Sequence, residues 1–416
     1  MTTISRRAAA QMLGAGAVSL MAGRRATAQT GDPVRIAVLA PLSGFAAALG
    51  RDMAIGGQIA EDMINRNGGV LGRKVEVIAR DDRGDANEAV AAVRELSGRG
   101  VSHFVGGPLT PTVLAAFGVL PSVNGSMIAI GTMGDAVTHE AFTRHGFRLS
   151  ESAALRGRGL GKFAAQRYPE ITSWAAIIGD NEAGVSQYRA FASGVNEFYP
   201  KLANKKAEVL EPLRVKYGAS DFKNEVAKIM ASPAEGLLIA HPDPVTMTQQ
   251  ARAFGWERKI KAFMDMGNDI QMANALGRRT PPGFWTTSHW MFAAYQNLPA
   301  GKALYEAYVE KTKDPRPSGF MGVTQMAVMT YAQAIAKAGK TDTDAVIAAL
   351  ESNMFDTAGG KRVFRKEDHQ ALGDFSAYQI VADDNDPKGW KVGEFFAQSN
   401  SDAALPPNPG KPVVYP

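Results

Sequence analysis

The stretch VRIAVLAPLSGFAAALGRDMAIGGQIAEDMINRNGGVLGRKVEVIARDD, residues 34–82, decides the fold class. Its first seven residues are a continuous apolar run of strand length. Around residues 52–65 the apolar positions Gly56, Ile59, Ala60, Met63 and Ile64 share one helical face, and Gly68 and Gly69 end that helix. VEVIA at 75–79 is again a strand. Strand, crossover helix and strand in this order form a βαβ unit, whose strands pair in parallel.

The same alternation continues outward. Asp85, with Glu88 three residues on, opens a further helix at capping-box spacing. HFVGG (103–107) is a strand, and SMIAIG (126–131) another. Between them, FVGGPLTPTVLAAFGVL (104–120) runs from a strand through a glycine turn into a helix opened by Thr110, Pro111 and Thr112. Free N–H groups and the positive end of the helix dipole make such a start a cradle for a phosphate or a carboxylate. The same residues also suit a plain helix start. A second series follows residue 147, with strands SWAAIIG (173–179), AEVLEPL (207–213), GLLIAH (236–241) and IKAFMDM (260–266) between helix-length segments such as 185–199 and 220–230. From Pro299 the pattern turns helical (300–313, 321–338 and 342–353), and RVFR (362–365) and AYQIVA (377–382) are two closing strand-like pieces. Two βα series in tandem predict an α/β protein of two doubly wound lobes.

The N-terminus predicts export. Arg6 and Arg7, an apolar run at 12–23 too short to span a bilayer, and the small residues Ala26-Thr27-Ala28 form a signal peptide cut near Ala28. The Arg6-Arg7 pair resembles a twin-arginine signal, although Ala8 and Ala9 stand where a bulky residue is usual. The chain has 46 Lys plus Arg and 41 Asp plus Glu, and four of the arginines lie in this signal, leaving 42 against 41. The pI of about 9.2 therefore implies no nucleic-acid partner. The chain has no cysteine, which excludes disulfides, thiol catalysis and a lipid anchor on Cys. No second apolar run reaches membrane-spanning length, so membrane insertion is not expected. The length beyond residue 28 exceeds one ordinary core and predicts two domains. The proline-rich residues 399–416 read as an extended, unpacked tail.

Enzyme signatures are missing where open α/β sheets place ligands, beyond the carboxyl ends of the strands. There is no P-loop, the glycines of GRGLG (157–161) are misspaced for a dinucleotide turn, and His139-Glu140 with His145 misses the spacing of a helical zinc pair. No nucleophile elbow occurs. No catalytic residue, metal or cofactor is expected. Asp81 and Asp82 point to opposite faces of a strand, which favours strand-end capping over shared acid–base chemistry. TTSHWMFAAY (286–295) is open between core packing and a ligand-facing wall.

These features together resemble the type I periplasmic binding proteins of the branched-chain amino acid ABC-transporter family. The resemblance covers about 34–398 and rests on the block at 35–82, with GGPLTPTVLAAF, SMIAIGT and the helix at 331–337 in support. It implies two Rossmann-like lobes joined by three crossover strands and closing on a ligand. Lobe 1 would be 33–147 plus 288–356 and lobe 2 would be 148–287 plus 357–398, with crossovers near 147–148, 285–288 and 358–361. The α-carboxylate of the ligand would meet Leu109 and Thr110 after the third strand and Gly131, Thr132 and Met133 after the fourth. The family's aromatic clamp positions fall on Leu49, Ala183 and Ala240, none of them aromatic. The ammonium-binding acid falls on Gly267, with Asp265 and Asp269 two residues to either side. The implied function is the binding component of an ABC uptake transporter, a monomer in the periplasm acting with an inner-membrane permease. Its ligand would be a small carboxylate-bearing solute, an amino acid by family default or an aromatic or other organic acid. A ligand-presenting sensor for a signalling partner is the alternative role.

Overall fold

The computed structural model describes residues 31–44, 46–216, 219–241, 244–399 and 402–416. The expected signal at 1–28 lies outside these residues. Lobe 1 begins with β1 (Val34–Ala40), α1 (Ala47–Arg66), β2 (Val75–Asp81), α2 (Ala86–Gly98), β3 (His103–Gly106), α3 (Thr110–Val119), β4 (Ser126–Ala129) and β5 (Gly146–Arg148). The strands pair in parallel in the order β2-β1-β3-β4-β5. Both faces are buried, as the apolar runs require. Ile36 and Val38 face the core lined by α1, whereas Ala37 and Leu39 face the core of α2 and α3.

Lobe 2 holds α4 (Ala153–Arg167), β6 (Ser173–Gly179), α5 (Glu182–Leu202), β7 (Glu208–Val209), β8 (Leu213–Val215), α6 (Lys223–Ala231), β9 (Gly236–Ala240), α7 (Pro244–Arg252), β10 (Ala262–Asp265), α8 (Asp269–Leu276) and β11 (Phe284–Thr287). The chain returns through α9 (Pro299–Thr312), α10 (Gly319–Ala338) and α11 (Thr343–Ser352), then β12 (Met354–Thr357), β13 (Gly360–Phe364), β14 (Ala371–Leu372), β15 (Asp374–Ala382) and β16 (Trp390–Ser399). The second sheet runs β16-β15-β11-β10-β9-β6-β7, with β8 also on β6. Its two C-terminal strands are antiparallel additions to a parallel core.

Three expectations change. The strand expected at 207–213 is split into β7 and β8 around Pro212, which has no N–H for the ladder. The third crossover falls between β14 and β15, at 372–374 rather than 358–361. Phe355, Ala358, Phe364 and Ala371 belong to the core that α10 shares with β1, so β12 to β14 stay with lobe 1. The tail is extended but not unpacked: Ala403 is completely buried and Leu405 nearly so.

Candidate functional site

The turn after β3 is built by glycine. Gly107 has φ +80°, and a Cβ there would lie 2.2 Å from Val113 Cγ2. It lets the chain double back so that α3 begins at Thr110 after the extended Leu109. Thr110 is 5% exposed, and its Oγ1 accepts from the Gly134 N–H at 3.1 Å and lies 3.0 Å from Thr132 Oγ1. The hydroxyl therefore knits the β3 and β4 turns together at the mouth of a helix N-terminus. Thr112 instead donates back to the Leu109 carbonyl.

This corner opens on a cleft of about 620 Å³ between the lobes. Lobe 1 contributes Leu49, Pro108, Leu109, Thr110, Pro111, Leu114 and Met133. Facing them are Asp180, Asn181, Glu182, Ala183, Gln187, Lys216, Ala240, His241, Met266, Gly267 and Asn268 of lobe 2. Seven sequence-derived candidates thus share one cavity: Leu49, Leu109, Thr110, Met133, Ala183, Ala240 and Gly267.

Three candidates stand behind it. Gly131, at φ +69°, donates its N–H to Ser150 Oγ at 2.9 Å, and Thr132 is fully buried. Asp265 is buried, and its carboxylate accepts from the N–H groups of Gly267 and Asn268, from Asn268 Nδ2 and from Thr286 Oγ1. It holds the loop after β10 and does not line the cleft; burial pushes its carboxyl above the usual range against those hydrogen bonds. Asp269 is equally withdrawn. It accepts from Gly319 N–H at 2.6 Å and Tyr378 Oη at 2.8 Å, and burial raises it to about 6.

Gly267 is occupied from behind. Its φ is +129°, and a Cβ would meet Arg156 Nη1 at 2.4 Å. Arg156 is held by the Glu151 carboxylate at 2.8 Å, His289 Nδ1 at 2.6 Å, Thr287 Oγ1 at 3.2 Å and the Met266 carbonyl at 3.3 Å. Despite burial, the Arg156 guanidinium and the hydrogen bond with His289 hold the Glu151 carboxyl at about 2, and burial with Arg156 holds His289 down at about 4. The 286–295 stretch is resolved as packing: Trp290 and Tyr295 lie in the first core, and His289 sits in this ionic cluster.

The acidic groups that do reach the cleft are Asp180 and Glu182. Glu182 Oε1 accepts from the Asp135 N–H at 3.1 Å, across the lobes, and from Ser186 Oγ at 2.9 Å. Burial raises its pKa. Asp180 faces Arg214 at 3.8 Å. The strand-end rule points at 179–182 and 241; Gln187, one turn inside α5, and Lys216, after the split strand, have no such signal. Asp81 caps its strand end as expected, accepting from Leu42, Ser43 and Arg83.

A sequence profile described as periplasmic binding protein matches residues 33–386. The chain belongs to the periplasmic binding protein family. Within it, the chain is a type I protein of the branched-chain amino acid group. It is 27% identical over 367 residues to the leucine-, isoleucine-, valine-, threonine- and alanine-binding protein of Pseudomonas aeruginosa, covering 87% of this chain and 94% of that one. The closed form of the corresponding Brucella ovis protein superposes with a TM-score of 0.78 at 19% identity, over 93% of this chain and all of that one. A Rhodopseudomonas palustris solute-binding protein in complex with 3,4-dihydroxybenzoic acid gives 0.75 at 19% identity, over 89% and 98%. Members of this family are solute-binding proteins exported to the periplasm. Among the described residues no helix is long and apolar enough to cross a membrane.

Proposed function

We propose that this periplasmic binding protein, exported by the signal at 1–28, captures a small carboxylate-bearing solute by hinge closure of its lobes and hands it, as a monomer, to an inner-membrane ABC permease. The observation that carries the reading is the N-terminus of α3 opening on the interlobe cleft at Leu109 and Thr110. A carboxylate there meets free helix N–H groups and a favourable dipole. Leu49, Leu114, Met133 and Met266 provide the apolar walls.

The other end of the cleft favours an aromatic or other organic acid over an α-amino acid. Asp265 and Asp269 are consumed in buried networks, Gly267 has no side chain, Glu182 is committed to Asp135 and Ser186, and Asp180 faces Arg214. Lys216 adds a cation to the same wall. An ammonium enclosed without a counter-charge costs several kcal/mol, a cost that an acid lacking the amine avoids. The aromatic acid held by the Rhodopseudomonas relative supports this by fold analogy only, and the amino acids bound by the Pseudomonas relative pull the other way. A thermal-shift screen separates them, since a ligand at a hundred times its dissociation constant adds about 2.7 kcal/mol. Benzoate and hydroxybenzoates should raise the melting temperature, with leucine, valine and alanine inert. The reverse pattern restores the amino acid, and a flat response to both sets defeats both ligand readings.

A further inference from the structure

The segment 402–416 belongs to none of the three sheets, yet it is fastened to both lobes in turn. Lys162 Nζ meets Asp402 Oδ2 at 2.6 Å, and Arg158 Nε donates to the Ala403 carbonyl at 2.8 Å; both donors are on α4 of lobe 2. Two residues later Arg365 Nη1, at the end of β13 in lobe 1, donates to the Leu405 carbonyl at 2.7 Å. Gly410 N–H then donates to the His139 carbonyl of lobe 1 at 2.7 Å. Finally 413–416 lie along a groove on α5 with Tyr188, Arg189, Ser193 and Asn196, while Tyr415 Oη donates to Asp135 Oδ2 at 2.5 Å. Asp135 is the residue whose N–H bonds Glu182 across the cleft, and its other carboxylate oxygen accepts from Ala154 N–H at 3.3 Å.

We propose that this segment is a strap that pins the pivot of the two lobes and limits how far the cleft opens. The reach of the chain makes the argument. A residue spans at most about 3.6 Å, so anchors on Ala403 and Leu405 leave little slack between Arg158 of lobe 2 and Arg365 of lobe 1. Slack cannot come from peeling the strap away cheaply. Ala403 is fully buried and Arg158 is 3% exposed, so release strands a buried guanidinium donor without its carbonyl. At the far end, burial and Asp135 hold the Tyr415 phenol far above its usual range, which keeps it a donor throughout the working pH. Opening must therefore turn about the strapped side.

The test needs no ligand, so its failure is distinct from failure of the transport reading. Because the chain lacks cysteine, Ala91→Cys on α2 and Gln249→Cys on α7, both exposed, give one spin label per lobe. Pulsed electron-spin distances are compared for the full chain, a chain ending at Ser399, Tyr415→Phe, and Ala403→Glu. The last drives a charge into the buried anchor in a full-length chain, in case the truncation does not fold. The strap predicts that truncation and Ala403→Glu broaden the interlobe distribution and shift it to a longer mean, with a smaller shift for Tyr415→Phe. An unchanged distribution in folded Ala403→Glu and Tyr415→Phe overturns it.

Discussion

At the scale of single residues, the site depends on small groups filling tight places. Thr110 does two things at once: it stands at the helix start in the cleft and accepts from the buried Gly134 N–H. Thr110→Val should weaken ligand binding by about 1–3 kcal/mol and also lower stability by leaving that N–H without an acceptor. Thr110→Ser should restore most of both, read by calorimetry and denaturant unfolding. Gly267 is fixed by its positive φ and by Arg156 behind it. Gly267→Ala should destabilise by about 1–3 kcal/mol through backbone strain and the clash, checked by the urea midpoint. The turn at Gly107 and the start of α3 could be read in the chain because glycine turns and helix starts leave local signatures. The opposite wall could be read only in part: the strand-end rule reaches Glu182, whereas Gln187 and Lys216 are ordinary polar residues until the lobes bring them together. The aspartates beside Gly267 misled for the same reason, because direction, not proximity in sequence, decides what a carboxylate touches.

At the scale of elements, long periodic segments were legible and the edges were not. β1 to β4 and α1 to α3 fall where apolar runs and caps put them, including the Asp85 cap, which accepts from Asn87 and Glu88. β16 was missed, as its pattern WKVGEFFAQS (390–399) mixes charge and glycine in an antiparallel edge strand. GRGLG (157–161), chemically silent, has a packing role. A Cβ on Gly161 would stand 2.7 Å from the Gly194 carbonyl carbon, and one on Gly194 would stand 2.6 Å from the Arg158 carbonyl oxygen. α4 and α5 therefore touch backbone to backbone. Gly194→Val should force them apart and cost about 1–3 kcal/mol; a midpoint shift within error would show that the pair can slide without loss.

At the scale of the whole molecule, the Arg156 cluster couples the crossovers to pH. His289 titrates at about 4 in the folded protein against about 6.5 when unfolded. A depressed pKa means the unfolded chain binds the proton first, so this contribution is complete above about pH 6.5 and is lost as pH falls through 4. Asp269, raised to about 6, acts in the opposite sense over the same range. The contribution of His289 is therefore isolated by difference: the stability advantage of the wild type over His289→Gln should shrink between pH 7 and pH 4.5 in urea unfolding, and a constant gap would remove His289 from the balance.

The two cores of lobe 1 mature at different moments of synthesis. One face of its sheet is covered by α2 and α3 from the same stretch of chain, but the other, which α1 covers only in part, also needs Met321, Val328 and Tyr331 of α10, made only after the lobe 2 elements α4 to β11 have been threaded through. A nascent or translocating chain thus carries this face of the sheet with only α1 over it until late, and in that interval it is most in need of a chaperone and most prone to aggregate.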